Sequence, residues 1–328
     1  MEEILRNFKD QFLFEPIIEN LENFKEKNKF LIVGMGGSIL PAGLLKILKN
    51  NLDIILYNNF GLPSLDDLED RKIIFISHSG NTEETVDSFE TSIKNNFDTF
   101  VISSNGVLLK RATELNIPYI KIPDSNIPPR LALVYIFKSL LKILKDENSL
   151  KEISLLKNYF DSEKIEKQGR ELGEKIKGYI PIIYSSSKNF YLAYNFKIRF
   201  NETTKIPSFC NTFPELCHNE IQGFGFDNLT ENLSKNFYFI FLKDLDDDPR
   251  ILKRMDICKK ILENKKIKVE IINLENKNIY YKIFSLIHLA DWASYYLAKI
   301  YKNDPIKTKI IEEIKNLAKD GDSRQGLL

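Results

Sequence analysis

The stretch FLIVGMGGSIL at residues 30–40 joins a short apolar run to a glycine-rich turn and then to the start of an amphipathic segment. Consecutive apolar residues that end at glycine are typical of a buried strand, and glycines let the backbone approach a ligand closely. The third glycine of a dinucleotide-binding fingerprint is missing, because Ile39 stands in its place. The stretch therefore predicts a strand, a tight turn and a helix, the first unit of an α/β fold.

The same alternation of short apolar runs and amphipathic stretches continues along most of the chain. It predicts βαβ units, and hence mostly parallel sheets flanked by helices. The alternation pauses over the charged residues 145–174 and then restarts, so we expect two α/β halves, residues 1–150 and 151–328. The final helix is predicted over Pro305–Ala318. The predicted strands are Phe30–Val33, Asp53–Tyr57, Lys72–Ile76, Thr99–Ser103, Tyr119–Ile122, Tyr179–Tyr184, Phe237–Leu242 and Val269–Leu274.

Composition restricts the class of protein. Lys and Arg total 47 and Asp and Glu total 46, so we expect no nucleic-acid partner. Apolar runs stay below the roughly 18 residues of a membrane span, and the acidic N-terminus lacks a secretory pattern, so we expect a cytoplasmic protein without a membrane partner. Cys210, Cys217 and Cys258 have no zinc-knuckle spacing and are expected as free thiols. The three histidines are scattered, and we expect no metal and no cofactor.

The first turn offers a place for an anion. Gly36, Gly37 and Ser38 follow the first strand and directly precede a helix. The free N–H groups and the positive dipole end of a helix N-terminus suit an anion, and a serine hydroxyl can donate to it. The alternative is a tight strand–helix turn with a serine cap.

A second turn, SHSGNTEET at residues 77–85, is more informative. Ser77, Ser79 and Thr82 supply three hydroxyls around Gly80 at the start of a helix, which exceeds what helix capping requires. Together with backbone N–H groups they could surround phosphate oxygens. The lysine of a P-loop is missing, so a small phosphorylated ligand is favoured over a nucleotide. The alternative is a hydroxyl-rich helix cap.

These two turns carry a family resemblance. Residues 77–85 resemble the phosphosugar-binding signature of the sugar isomerase (SIS) domain, and residues 34–38 resemble its first glycine–serine turn. The resemblance implies an α/β chain of two SIS-type subdomains, with the phosphate-binding turns in residues 1–150. SIS domains also occur in regulators and in an amino-sugar synthase, so the reaction is left open by these turns.

Isomerisation of a sugar phosphate needs a base near C1 and C2 and an acid–base group for ring opening. Glu202, where a helix ends, and His218, in a polar cluster, are candidates. The alternatives are an ordinary helix-end carboxylate and a surface histidine. His288 lies in an apolar helix and is predicted as a core residue, while alternation along its strand turns His78 away from the serines.

The second half carries a sharper resemblance. Asn201-Glu202 with residues 214–220, the Pro128-Pro129-Arg130 turn and Asp304-Pro305 resemble the archaeal-type bifunctional phosphoglucose/phosphomannose isomerases. The resemblance implies that Glu202, sixteen residues before His218, is the catalytic base and that His218 assists ring opening in the partner's site of a homodimer. It also implies that Arg130 stabilises the enediolate, Lys315 assists ring opening and Thr308 permits both C2 epimers; alternatively, Thr308 faces solvent.

We therefore expect a metal-independent isomerase that interconverts glucose 6-phosphate and mannose 6-phosphate with fructose 6-phosphate. Three alternatives stay open: another phosphosugar isomerase or deaminase, a non-catalytic SIS sensor, and an unrelated nucleotide-binding protein. A sensor would not need Glu202 and His218, and a metal-dependent isomerase would need clustered histidine and carboxylate ligands.

Overall fold

Two parallel sheets organise the chain. The computed structural model describes residues 1–49, 51–124, 127–225, 229–274 and 278–325. The strands are β1 (Lys29–Gly34), β2 (Asp53–Tyr57), β3 (Lys72–Ser77), β4 (Thr99–Ser103), β5 (Tyr119–Lys121), β6 (Ile180–Ser186), β7 (Phe209–Phe213), β8 (Phe237–Asp244) and β9 (Lys268–Leu274). They form one sheet in the order β2-β1-β3-β4-β5 and a second in the order β7-β6-β8-β9. The predicted fold class is thereby confirmed.

Helices flank both sheets. They are α1 (Glu2–Arg6), α2 (Leu40–Leu48), α3 (Glu83–Lys94), α4 (Gly106–Glu114), α5 (Leu133–Ile143), α6 (Glu147–Leu155), α7 (Ser162–Ile176), α8 (Phe190–Arg199), α9 (Glu231–Ser234), α10 (Pro249–Asn264), α11 (Ile279–Ile300) and α12 (Lys309–Gln325). Short 3-10 turns and one π-turn, Phe200–Thr204, join several of them.

The central strands are apolar because helices cover both of their faces. Every residue of β3 and β4 is buried. β3 begins with a buried lysine, Lys72, whose ammonium donates to the two carboxylate oxygens of Asp98 at 2.8 and 2.9 Å. That pairing compensates the buried charge of Lys72 at the amino edge of the sheet. Ligands of open α/β sheets commonly bind at the opposite, carboxyl edge.

One apolar core connects the two halves. The ring of Phe284 on α11 lies 5.5 Å from the rings of both Phe12 and Phe137, which belong to the first half. Helix α7 packs closely on α11, since a Cβ atom at Gly169 would come within 2.4 Å of Trp292 Cβ, and one at Gly173 within 2.7 Å of a backbone oxygen of α11. Helix α11 is therefore firmly held, while the division of the chain at residue 150 stays a prediction.

Each sheet has a switch point, where connections leave its central strands in opposite directions. The first lies between β1 and β3 and the second between β6 and β8, and such crevices are the usual ligand sites of open α/β sheets. The second switch point is filled by the protein's own side chains. Asp247 accepts a hydrogen bond from Ser186 at 2.9 Å, and Asp244 accepts from Asn189 at 3.2 Å and from Lys282 at 2.8 Å.

Two elements differ from the sequence-based expectation. Strand β7 was not predicted, because Phe209–Phe213 carries cysteine, asparagine and threonine between its two phenylalanines and lies at a sheet edge. The final helix begins at Lys309 rather than Pro305. Its start is delayed because the Asp304 carboxylate accepts hydrogen bonds from the N–H groups of Ile306 and Lys307, which holds those residues in a turn.

Candidate active site

The glycine turn after β1 is built for close backbone approach. Gly36 has a φ of 51°, and a Cβ atom at Gly37 would lie 2.7 Å from the backbone nitrogen of Arg130. Ser38 is buried, and its hydroxyl accepts a hydrogen bond from His78 N–H at 3.2 Å. The turn thus connects the two central strands with Arg130.

The second turn holds the hydroxyl cluster of Ser77, Ser79 and Thr82. The hydroxyls of Ser77 and Thr82 lie 2.9 Å apart, and Ser77 also accepts from Gly80 N–H at 3.1 Å. Gly80 has a φ of 68°, and any Cβ there would collide with the backbone oxygen of Asn105. Thr82 precedes α3 but makes no side-chain cap. The cluster is therefore fixed by its own backbone at the N-terminus of a three-turn helix, a geometry that suits phosphate oxygens.

Two histidines lie away from any open surface. His288 is fully buried, its ring is 4.5 Å from that of Phe8, and its Nε2 accepts from Trp292 Nε1 at 2.9 Å. Burial lowers the pKa of His288 to about 3, so the ring is neutral. The predicted core role is confirmed. His78 is also buried, and burial lowers its pKa as well.

Glu202 and Arg130 form an ion pair between the two halves. Glu202 lies in the π-turn after α8, and its Oε2 accepts from Arg130 Nη1 at 3.1 Å. Arg130 is 2% exposed. Its other nitrogens donate to the Thr203 hydroxyl at 3.2 Å and to the backbone oxygens of Pro305 and Ile306 at 2.8 and 3.4 Å. Burial lowers the pKa of Arg130, whereas the charges of Glu202 and Asp291 oppose that shift.

Glu202 opens into a cavity of about 720 Å³, a size typical of small-molecule sites. Thr308, which directly precedes α12, lines the same cavity, with its hydroxyl 3.4 Å from Glu312 Oε1. The structure thus brings together Glu202 and Thr308. The lining residues are Asn201, Glu202, Lys205, Lys302, Asn303, Asp304, Lys307, Thr308, Lys309, Ile310 and Ile311.

The lysines of this cavity were missed from the sequence. Lys205 has a φ of 66°, and its ammonium donates to the backbone oxygen of Glu202. Burial and the charge of Arg130 lower the pKa of Lys205. With Lys302, Lys307 and Lys309 it outnumbers the two carboxylates of the lining, so the cavity is cationic, which favours an anionic ligand. The sequence did contain one indication of this role, because Lys205 is only three residues after the candidate base Glu202.

Two of the predicted site residues, His218 and Lys315, are not among the described residues that line the Glu202 cavity. His218 is exposed at the end of the 3-10 turn Glu215–His218, and a second 3-10 helix, Glu220–Phe224, begins two residues later. His218 follows β7, whereas Glu202 precedes β7. Lys315 is exposed on α12 and is not among the described residues that line the cavity. Glu202 lies directly after α8, as the sequence predicted, and before β7, so it lies toward the amino end of the second sheet.

Neither a metal cluster nor a membrane span is found in the described ranges. No group of three or more His, Cys, Asp and Glu side chains there is arranged to hold a metal ion. Among the described helices, none combines the length and apolarity needed to cross a membrane.

Comparisons with known proteins agree with this architecture. Residues 165–317 match the family described as the bacterial phospho-glucose isomerase C-terminal SIS domain. A bifunctional phosphoglucose/phosphomannose isomerase of Aquifex aeolicus is 33% identical over 319 residues, 95% of this chain and 96% of that protein. One of Thermoplasma volcanium is 29% identical over 95% of this chain and 97% of its own.

Among solved structures, glucosamine-6-phosphate deaminase of Thermotoga maritima superposes with a TM-score of 0.67 at 17% identity, covering 92% of this chain and 94% of that one. At that identity the likeness concerns the fold alone. The identity to the Aquifex protein along nearly the whole length of both chains decides the family. The chain belongs to the bifunctional phosphoglucose/phosphomannose isomerases, a family of SIS-domain isomerases.

Proposed function

We propose that the chain interconverts glucose 6-phosphate and mannose 6-phosphate with fructose 6-phosphate by proton transfer through an enediolate. The observation that carries the proposal is the carboxylate of Glu202, which faces a cationic cavity and is paired with a buried arginine. Relatives named as bifunctional phosphoglucose/phosphomannose isomerases support the choice of substrates. The enzyme is proposed to work in the cytoplasm, and its three free cysteines suit a reducing compartment.

The proposed chemistry moves one proton between two carbons. Glu202 takes the proton from C2 of the open-chain aldose, which leaves an enediolate whose negative charge spreads over O1 and O2. The Arg130 guanidinium, desolvated beside Glu202, stabilises that charge more strongly than an exposed cation would. The hydroxyl proton of O2 passes to O1 within the enediolate, Glu202 returns its proton to C1, and fructose 6-phosphate results. The reverse transfer at either face of C2 gives glucose 6-phosphate or mannose 6-phosphate.

The direct test is an assay for fructose 6-phosphate formed from each aldose in the presence of EDTA. We expect turnover of both substrates, because the proposed steps use only side chains of the protein. A mock purification from cells that do not express the chain serves as the blank for contaminating isomerase. If neither aldose yields fructose 6-phosphate above that blank, the proposed function is wrong.

The hydroxyl cluster is proposed to hold the substrate phosphate, with Gly36, Gly37 and Ser38 beside it. Ser79→Ala and Thr82→Ala are each expected to raise KM and the inhibition constant of inorganic phosphate, with kcat little changed. Each removes a hydrogen bond to an anion, worth about 1.5–3 kcal/mol. Thr91→Ala is the matched control on α3, because the Thr91 hydroxyl bonds only to the backbone of its own helix in the described structure. An unchanged KM in both cluster variants would contradict the assignment.

A homodimer is proposed to complete the site. His218 is not among the described residues that line its own chain's Glu202 cavity, and its exposure suits a role in a partner's site. Helix α12 also presents apolar side chains to solvent at helical spacing: Ile310, Ile314 and Leu317 are 73%, 62% and 64% exposed. A contiguous exposed apolar face at the mouth of the cavity favours a second copy as its cover. Packing of a second copy on α12 would also determine which site the Lys315 side chain enters. We retain Lys315 as a proposed ring-opening residue.

Thr308 is proposed to allow both C2 epimers to share one enediolate. Its small side chain lines the Glu202 cavity and leaves room for rotation about C2–C3. Thr308→Gln is expected to reduce the kcat/KM of mannose 6-phosphate relative to glucose 6-phosphate by about tenfold, the effect of about 1.4 kcal/mol. Thr308→Ser is the matched control and should preserve the ratio. Equal losses on both substrates would contradict this role.

A further inference from the structure

Arg130 must keep one orientation if it is to serve both Glu202 and the enediolate, yet it lies in a 3-10 turn, Pro129–Leu131, outside the regular helices and sheets. Its backbone is held from two sides. Gly37 packs against its nitrogen, and its carbonyl oxygen accepts a hydrogen bond from Arg199 Nη2 at 3.0 Å. Arg199 therefore fixes the main chain of Arg130 without touching the cavity.

Arg199 also fixes the turn that carries Glu202. It is the last residue of α8 and immediately precedes the π-turn Phe200–Thr204. Its side chain is fully buried, and its Nε donates to Asp291 Oδ1 at 2.5 Å, while Nη1 donates to Asn195 Oδ1 at 2.8 Å. At the other end of the π-turn, the Thr204 hydroxyl donates to the backbone oxygen of Ser294 at 2.8 Å. Both ends of the turn are thus attached to α11, one helical turn apart.

Stability alone is a weak explanation for this pair. A buried ion pair is often no more stabilising than apolar side chains of the same volume. Asp291 also leaves its second oxygen, Oδ2, buried without a partner among the described residues, which is unfavourable. The Arg199–Asp291 pair does provide a fixed geometry, because it holds Glu202 and Arg130 relative to α11. Helix α11 is in turn packed closely on α7.

We propose that Arg199 and Asp291 are positioning residues for isomerisation, which hold the carboxylate of Glu202 and the guanidinium of Arg130 in catalytic register. The inference rests on the proposed function, because the register matters only if these two groups act on one substrate. A misplacement of about 1 Å in a catalytic constellation can lower the rate about 10²-fold. The hydroxyl cluster belongs to the other half, so phosphate binding should be insensitive to the pair.

Arg199→Lys and Asp291→Asn test the proposal. Lysine keeps the charge but cannot reach Asp291, Asn195 and the Arg130 carbonyl together. We expect kcat to fall about 10²-fold in Arg199→Lys and about tenfold or more in Asp291→Asn. The KM and the inhibition constant of inorganic phosphate should stay within about twofold. This division between kcat and KM is not expected of a role in stability alone.

Lys282→Met is the matched control, since Lys282 forms another buried ion pair on α11, with Asp244 at 2.8 Å, away from the cavity. It should lower the melting temperature and leave kcat within about twofold. If Arg199→Lys does not fold, Thr204→Val tests the positioning role instead. This variant removes only the hydrogen bond from the Thr204 hydroxyl to the Ser294 backbone oxygen, and it should lower kcat about tenfold. The positioning role would be overturned if Arg199→Lys, Asp291→Asn and Thr204→Val had the same kcat as the Lys282→Met control. A wild-type protein without isomerase activity would instead overturn the proposed function and the inference with it.

Discussion

Glu202→Gln is expected to bind hexose 6-phosphates normally and to lower kcat by about 10²–10⁴-fold, the usual effect of losing an acid–base group. Glutamine has nearly the same shape and can still accept the hydrogen bond of Arg130 through its amide oxygen. It cannot take a proton from carbon, so binding and turnover should separate. Steady-state kinetics on both aldoses, with binding measured by phosphate competition, checks this expectation.

Asp304→Asn is the matched control for that variant. Asp304 is another carboxylate of the same cavity, but its oxygen accepts hydrogen bonds from backbone N–H groups, a task that the asparagine oxygen can continue. Its kcat should remain within about fivefold of wild type, because no proton transfer is assigned to it. A near wild-type kcat in Glu202→Gln would remove Glu202 from the mechanism.

A mixture of Glu202→Gln and His218→Ala, each almost inactive alone, is expected to recover about a quarter of wild-type activity after subunit exchange. If His218 serves the partner's site, one site of each heterodimer combines an intact Glu202 with an intact His218. The second site of that heterodimer carries both substitutions. Random exchange makes half of the dimers heterodimers. Because one of the two sites in each heterodimer is intact, a quarter of all sites are active.

Activity followed against time after mixing measures the exchange, and mass spectrometry of the intact dimers counts the heterodimers. Glu202→Gln mixed with Glu202→Gln,His218→Ala is the matched control, since no arrangement of those chains restores an intact site. Verified heterodimers without recovered activity would mean that each chain uses its own histidine.

The sheets could be predicted because their strands are buried on both faces. Runs such as Lys72–Ile76 contain few polar residues, so composition alone identifies them. Strand β7 is an edge strand with one neighbour, and polar residues are tolerated there, so its sequence does not stand out. The start of α12 depended on the side chain of Asp304, a local contact that periodicity does not reveal.

Candidate site residues could be proposed from the sequence where the local composition is unusual. Three hydroxyls around Gly80 are visible in the sequence, whereas the sixteen-residue spacing of Glu202 and His218 has a meaning only through the family resemblance. The partnership of Glu202 with Arg130 joins residues 72 apart and follows only from the fold. Arg199 and Asp291 were passed over because each lies in a largely apolar helix. A charged residue inside a buried helix was itself the available signal, since such a group requires a partner.

The two switch points differ in charge, and we expect this difference to limit how many sugar phosphates one chain binds. The first offers hydroxyls and the N-terminus of α3. At the second, Asp244 and Asp247 stand where a phosphate would lie, and Lys282 is already neutralised by carboxylates. A dianion entering there would be repelled by buried charges of its own sign. We therefore expect one sugar phosphate per chain, although each half contains the crevice that an α/β sheet commonly uses.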